Sequence, residues 1–218
     1  MYFMIIGEIS SVESMKSRFH EKELLTEVLG KVNARYRDVI ASNFTLTVGN
    51  EFQGVLSDAT PIMEIIDWIR VSMADSGLLF GIGIGDLETR ISKLSIGVDG
   101  PAYWNAREAI LAVHEGDDYG RTNVLIRADE SRNLVHVLNE TLRLCGYVES
   151  RWRDTQRELV EKSILLHGHD LSVKQIELAK DMGLTTQALN QRIQSSGYYN
   201  YIRTRKELAQ LLQVEWGE

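Results

Sequence analysis

Between Ser172 and Gly197 the chain reads SVKQIELAKDMGLTTQALNQRIQSSG, an order that two short helices meeting at a corner satisfy better than any strand arrangement. Gly183 supplies the left-handed backbone that a sharp inter-helix corner requires. Ahead of it, Ser172 stands where it can cap a helix over Val173–Met182, with Ile176 and Ala179 facing inward and Ala179 small enough for a close helix crossing. Behind it, Leu184 is placed to plug the core and Thr185 or Thr186 to cap a second helix over Thr185–Gln194. Burying Ala188, Leu189 and Ile193 turns Gln187, Asn190, Gln191 and Gln194 outward, with Arg192 on the flank. Small residue, glycine and buried aliphatic at these spacings match the helix-turn-helix pattern.

The outward residues are chemically suited to reading DNA. Asn and Gln amides bond adenine N6 and N7 in pairs, and Arg bonds guanine or phosphate. The first turn of the second helix, with Thr186 and Gln187, is the part that enters the groove first. A following helix over Tyr199–Leu212 carries Arg203, Arg205 and Lys206 as candidate phosphate contacts. Charge limits this reading. Residues 151–218 hold ten Lys/Arg against nine Asp/Glu, whereas residues 1–150 hold fourteen against twenty-two, within a chain of net charge −7. Only the C-terminal part can therefore meet phosphate, and its near-neutral balance favours a homodimer over a single copy. The competing interpretation is that these helices pack together or bind protein, with the amides as solvated surface.

Residues 1–150 have another texture. Tyr2–Ile9 is a short apolar strand, Val12–Ile40 has helical periodicity, and Phe44–Val48 and Glu51–Leu56 are strands joined by Gly49-Asn50, a type II′ hairpin signal. A helix follows over Ile62–Met73, with Asp58 or Thr60 as N-cap, then a strand over Leu78–Ile84. Lys93–Asp99 is a short strand or loop, Ala102–His114 a helix, Asn123–Ala128 a strand and Ser131–Gly146 a helix. The order predicts an α+β protein, with a ferredoxin-like sheet carrying helices on one face (residues 1–148) ahead of an all-α helix-turn-helix domain (149–218). The glycines alternating in Gly81-Ile82-Gly83-Ile84-Gly85 do not form G-x-G-x-x-G before a helix, and are read as permitting close helix approach.

A single cysteine, Cys145, excludes an internal disulfide and a four-cysteine zinc site, and its apolar surroundings mark it as packing. His114, His136, His167 and His169 lack metal-ligand spacing. The N-terminus has no basic region ahead of its five-residue apolar run, and no stretch approaches the ~18 apolar residues of a membrane span. A cytoplasmic protein with no membrane partner and no cofactor is the expectation.

Three segments carry possible chemistry: Gly7-Glu8-Ile9-Ser10-Ser11, Gly49-Asn50-Glu51, and Gly100-Pro101-Ala102-Tyr103-Trp104-Asn105-Ala106-Arg107. Their order and wording resemble the class III nucleotide cyclase fold. In those enzymes, two carboxylates, one after the first strand and one on the hairpin, hold metal ions that activate a hydroxyl and bind a triphosphate. This chain has Glu8 and Asn50 where that pattern has Asp, and Tyr103 where it has the Asn four residues before an Arg; Arg107 matches. Asn lacks the charge to hold a divalent ion against water. Over the whole chain, GEISS, IASNFTLTVGNEFQGVL and DGPAYWNAREAI followed by a helix-turn-helix resemble the bacterial SatD family. The resemblance implies a degenerate cyclase-like domain ahead of a helix-turn-helix; with the outward amides, the expectation is a DNA-binding regulatory protein whose sheet domain dimerises or senses a ligand such as a nucleotide. Metal-dependent nucleotide handling through Glu8, Glu51 and Arg107 is the alternative, and a protein-interaction adaptor the second.

Overall fold

The computed structural model describes residues 1–10, 15–73, 76–116 and 122–217, so the expected helix start at Val12 lies outside the described residues. Among them are a five-stranded mixed sheet and eight helices. The order is β1 (Tyr2–Ile9), α1 (Met15–Arg35), β2 (Ile40–Leu46), β3 (Glu51–Leu56), α2 (Ile62–Ser72), β4 (Leu78–Gly85), α3 (Pro101–Glu115), β5 (Val124–Arg127), α4 (Arg132–Ser150), α5 (Asp154–His167), α6 (Gln175–Met182), α7 (Thr186–Ser196) and α8 (Tyr198–Trp216). The strands lie in the order β2-β3-β1-β4-β5. All neighbours are antiparallel except β4 and β5, which run parallel.

Strand β1 sits at the centre, which explains why it is apolar on both faces. Phe3, Ile5 and Ile9 join Phe52, Phe80, Ile82 and Ile84 in a core completed by α1, α2 and α4. Met4 and Ile6 point the other way, to Val55 and to Ala102, Ala106 and Ile110 of α3. Helices thus cover both faces, correcting the expectation of one. The reason is written in β4: a Cβ on Gly81 would stand 2.3 Å from the Ala106 carbonyl oxygen, and one on Gly83 would stand 2.1 Å from that of Ala102. The absent side chains let α3 lie directly on the strand, while Phe80, Ile82 and Ile84 fill the opposite core.

Other boundaries also move. Helix α1 ends at Arg35 and β2 begins at Ile40 rather than Phe44, its pairing with β3 shifting register on either side of Ser42. The hairpin has a three-residue loop instead of a two-residue turn. Thr47 N–H donates to the Glu51 carbonyl at 2.9 Å, which leaves Val48 out in solvent and Gly49 at φ +78°. The Lys93–Asp99 segment is a loop whose Ser95 hydroxyl donates to the Gln53 carbonyl at 2.8 Å. Helix α2 has no side-chain cap; the Asp58 carboxylate instead accepts from Thr60 N–H at 2.7 Å. Helix α4 runs through Gly146 to Ser150.

Helices α5, α6 and α7 bury Leu159, Val160, Ile164, Leu178, Ala179, Leu189 and Ile193 together. Helix α8 then turns back. Its Leu208, Ala209, Leu212 and Trp216 belong to the same core as Phe3 and Ile62.

Candidate functional site

The corner between α6 and α7 is built as its sequence requires. Gly183 has φ 65°, ψ 30°, and the Thr185 hydroxyl caps α7 by accepting from Ala188 N–H at 3.2 Å. Leu189 and Ile193 are buried, whereas Thr186, Gln187, Asn190, Gln191 and Gln194 are all exposed on one contiguous surface. In α6 the inward pair is Leu178 and Ala179; Ile176 is 71% exposed. Ser172 does not cap α6, because its hydroxyl and backbone N–H both donate to Asp170.

The cations divide differently. Arg192 leans back onto α5 and donates to Glu158 at 3.1 Å, so it braces the helix pair from the rim of the amide surface. Arg203 is exposed and Lys206 half-buried, the latter beside Glu64, His167 and Asp170 in a small cleft. Arg205 is only 4% exposed and donates to Asp67 of α2. It faces the interior, away from any position a phosphate could occupy.

Asp67 is the centre of a buried polar cluster between the sheet-packing helices and α8. It is fully buried, and besides Arg205 its oxygens face His169 Nε2 at 3.0 Å and Arg70 at 3.4 Å. Arg70 also bonds Glu149 of α4 and the Tyr201 hydroxyl, the latter at 3.0 Å. Burial alone would raise the Asp67 pKa, but Arg205, then His169 and Arg70, overcome it and hold the carboxyl well below its ordinary range. Burial likewise pushes the Tyr201 hydroxyl up, keeping it a neutral donor and acceptor. Two carboxylates and two guanidiniums thus balance inside the protein. No sequence pattern points to the set, since its members come from α2, α4, α8 and the loop after α5.

The sheet residues singled out for chemistry do come together. Glu8 and Glu51 are directly opposed across β1 and β3, hence on one face, the face covered by α3. Arg107 grips both oxygens of Glu51, at 2.7 and 2.9 Å, and stacks against Tyr103. That carboxylate bond, with a smaller contribution from Tyr103, holds the Arg107 pKa above its already high ordinary value. Seven residues along α3, His114 Nε2 lies 2.7 Å from Glu8. The sequence reading missed His114, although its spacing from Arg107 places both on one helix face. Asn50 enters through its backbone, its carbonyl accepting from Ile9 N–H at 3.1 Å.

This arrangement does not fit a divalent cation. A metal needs carboxylate lone pairs free and cations distant, but a guanidinium already occupies both Glu51 oxygens and Asn50 brings no charge. Among the described residues no group of three His, Cys, Asp or Glu is placed to hold a metal ion. A groove of about 500 Å³ beside the pair is lined by Thr47, Gln53, Val98, Asp99 and Tyr103. Among the described residues no helix is long and apolar enough to cross a membrane.

The model of the SatD family matches residues 2–212, nearly the whole chain and both of the regions just described. No curated protein matches the chain.

Proposed function

The chain belongs to the SatD family, and from that premise we propose that it is a DNA-binding regulatory protein working as a pair of copies. The observation that carries the reading is the surface of α7: five uncharged polar side chains, Thr186, Gln187, Asn190, Gln191 and Gln194, exposed side by side behind a capped corner. Amides in that density suit base edges. Phosphate contacts fall to Arg203 and Lys206, with Arg192 at the rim and Arg205 assigned to the interior. So few free cations give a single copy weak grip, which is why two copies are part of the proposal.

Residues 1–148 are read as a ferredoxin-like, cyclase-derived sheet domain and 149–218 as the helix-turn-helix domain. The antiparallel order β2-β3-β1-β4, with α1 and α2 on one face, supports the first assignment. The Glu51–Arg107 and Glu8–His114 pairs then serve to pin α3 to the strand ends, where the cyclase pattern has metal ligands.

The test is selection of bound sequences from a random duplex pool by the full chain at low salt, followed by fluorescence anisotropy. A defined sequence is expected to emerge. Asn190→Ala and Gln191→Ala should each weaken binding to it by roughly 10- to 100-fold, the worth of a paired base contact. No enrichment, or alanine variants that bind as the parent does, would sink the proposal.

A further inference from the structure

Helix α4 has an apolar stripe that nothing among the described residues covers. Its core face is Val135, Leu138, Leu142 and Cys145, all buried. On the opposite face Val137, Leu144 and Tyr147 are 58%, 61% and 60% exposed. Together with the exposed Glu140 and Arg151 they form the series 137, 140, 144, 147, 151, which alternates steps of three and four. That is the spacing of a two-helix coiled-coil seam. Arg151, the C-cap, keeps helical backbone angles (φ −92°, ψ −8°), so the seam extends to it.

We propose that this face pairs with the same face of a second copy, the two α4 helices running antiparallel about a two-fold axis between Cys145 and Gly146. The charges select that register. Glu140, Leu144, Tyr147 and Arg151 are symmetric about the axis, so each Leu144 meets the partner copy's tyrosine and each Glu140 meets an arginine. A parallel pairing would set Glu140 against Glu140 and Arg151 against Arg151. Sliding the antiparallel pair by one heptad matches Glu140 with Leu144 and leaves Arg151 facing Asn133. Polar residues within a seam fix register and orientation in this way, while the apolar pair supplies the attraction. Glu140 already bonds Arg143 on its own helix. Arg143 lines the cleft on the other flank, which leaves the seam side of the carboxylate open to the partner.

The inference gives a surface to the pairing of copies proposed above and rests on that part of the reading, but not on DNA recognition. Its test is therefore run without DNA, by sedimentation velocity of the full chain at tens of micromolar. The parent should sediment as a dimer and Leu144→Asp as a monomer of unchanged circular dichroism. Glu140→Arg and Arg151→Glu should each weaken pairing by about tenfold, and the double reversal should recover it to within about threefold. A monomeric parent would overturn the proposal together with the pairing itself. A dimer that survives Leu144→Asp, or a double reversal that stays as weak as the singles, would overturn the α4 surface alone. Anisotropy of the α7 variants is scored separately, so loss of DNA recognition with an intact α4 dimer falls on the other reading.

Discussion

Replacing Asp67 with alanine removes the carboxylate at the middle of the buried cluster. Arg70 keeps Glu149, but Arg205, 4% exposed, is left buried without its counter-ion. Breaking one side of a buried ion pair costs about 3–5 kcal/mol, against a whole-domain stability of about 5–15 kcal/mol. With a urea dependence of about 2 kcal/mol per molar, the midpoint should fall by roughly 2 M. Tryptophan fluorescence and far-ultraviolet circular dichroism should report one shared transition, because α8 packs into the sheet core. Exchanging both partners for apolar residues, Asp67→Leu with Arg205→Met, should restore most of the loss, since no charge is then stranded. The acid response follows from the depressed Asp67 pKa. Its stabilisation is complete above the ordinary carboxyl value of 3.8 and drains as pH falls from there through the lower folded value. The gap between the parent and Asp67→Ala should accordingly narrow only below about pH 4. A midpoint shift under about 0.5 M, or two separated transitions, would refute the claim that this cluster locks α8 to the sheet-packing helices.

Smaller perturbations probe single elements. Thr185→Ala removes the α7 cap and should cost about 1 kcal/mol, read as a melting temperature lower by about 2–4 °C. Gly83→Ala places a methyl 2.1 Å from the Ala102 carbonyl oxygen and Ala106 nitrogen, so α3 must lift at a cost of about 3 kcal/mol in urea unfolding. Gly30→Ala in α1, where a Cβ meets nothing within 4 Å, should instead raise stability by about 0.5–1 kcal/mol in the same assay.

These contrasts show what the sequence reveals and what it hides. The ends of β1 and β3 are legible because apolar period and flanking residues agree there. So is the purpose of the β4 glycines, since alternation puts every small residue on one face. The α6–α7 corner is legible for the same reason: glycine, cap and buried aliphatics are all local. The start of β2 is not, because an irregular register near Ser42 breaks the two-residue period. Arg205 is the instructive failure. Within its own helix it follows Arg203 and precedes Lys206, a run that looks like a phosphate contact. Its true partner, Asp67, is 138 residues earlier, and no local window contains that information. Glu51 and Glu8 were recognisable as carboxylates at neighbouring strand ends, but their engagement by Arg107 and His114 is a product of how α3 lands on the sheet.

The return of α8 also orders events during synthesis. Until residues 208–216 have left the ribosome, the groove that receives Leu208, Leu212 and Trp216 stays open. A nascent chain halted between α4 and α8 therefore shows quality-control machinery a bare apolar surface and an Asp67 still lacking Arg205. Chaperones and proteases recognise such surfaces, so only chains that have made α8 should escape surveillance.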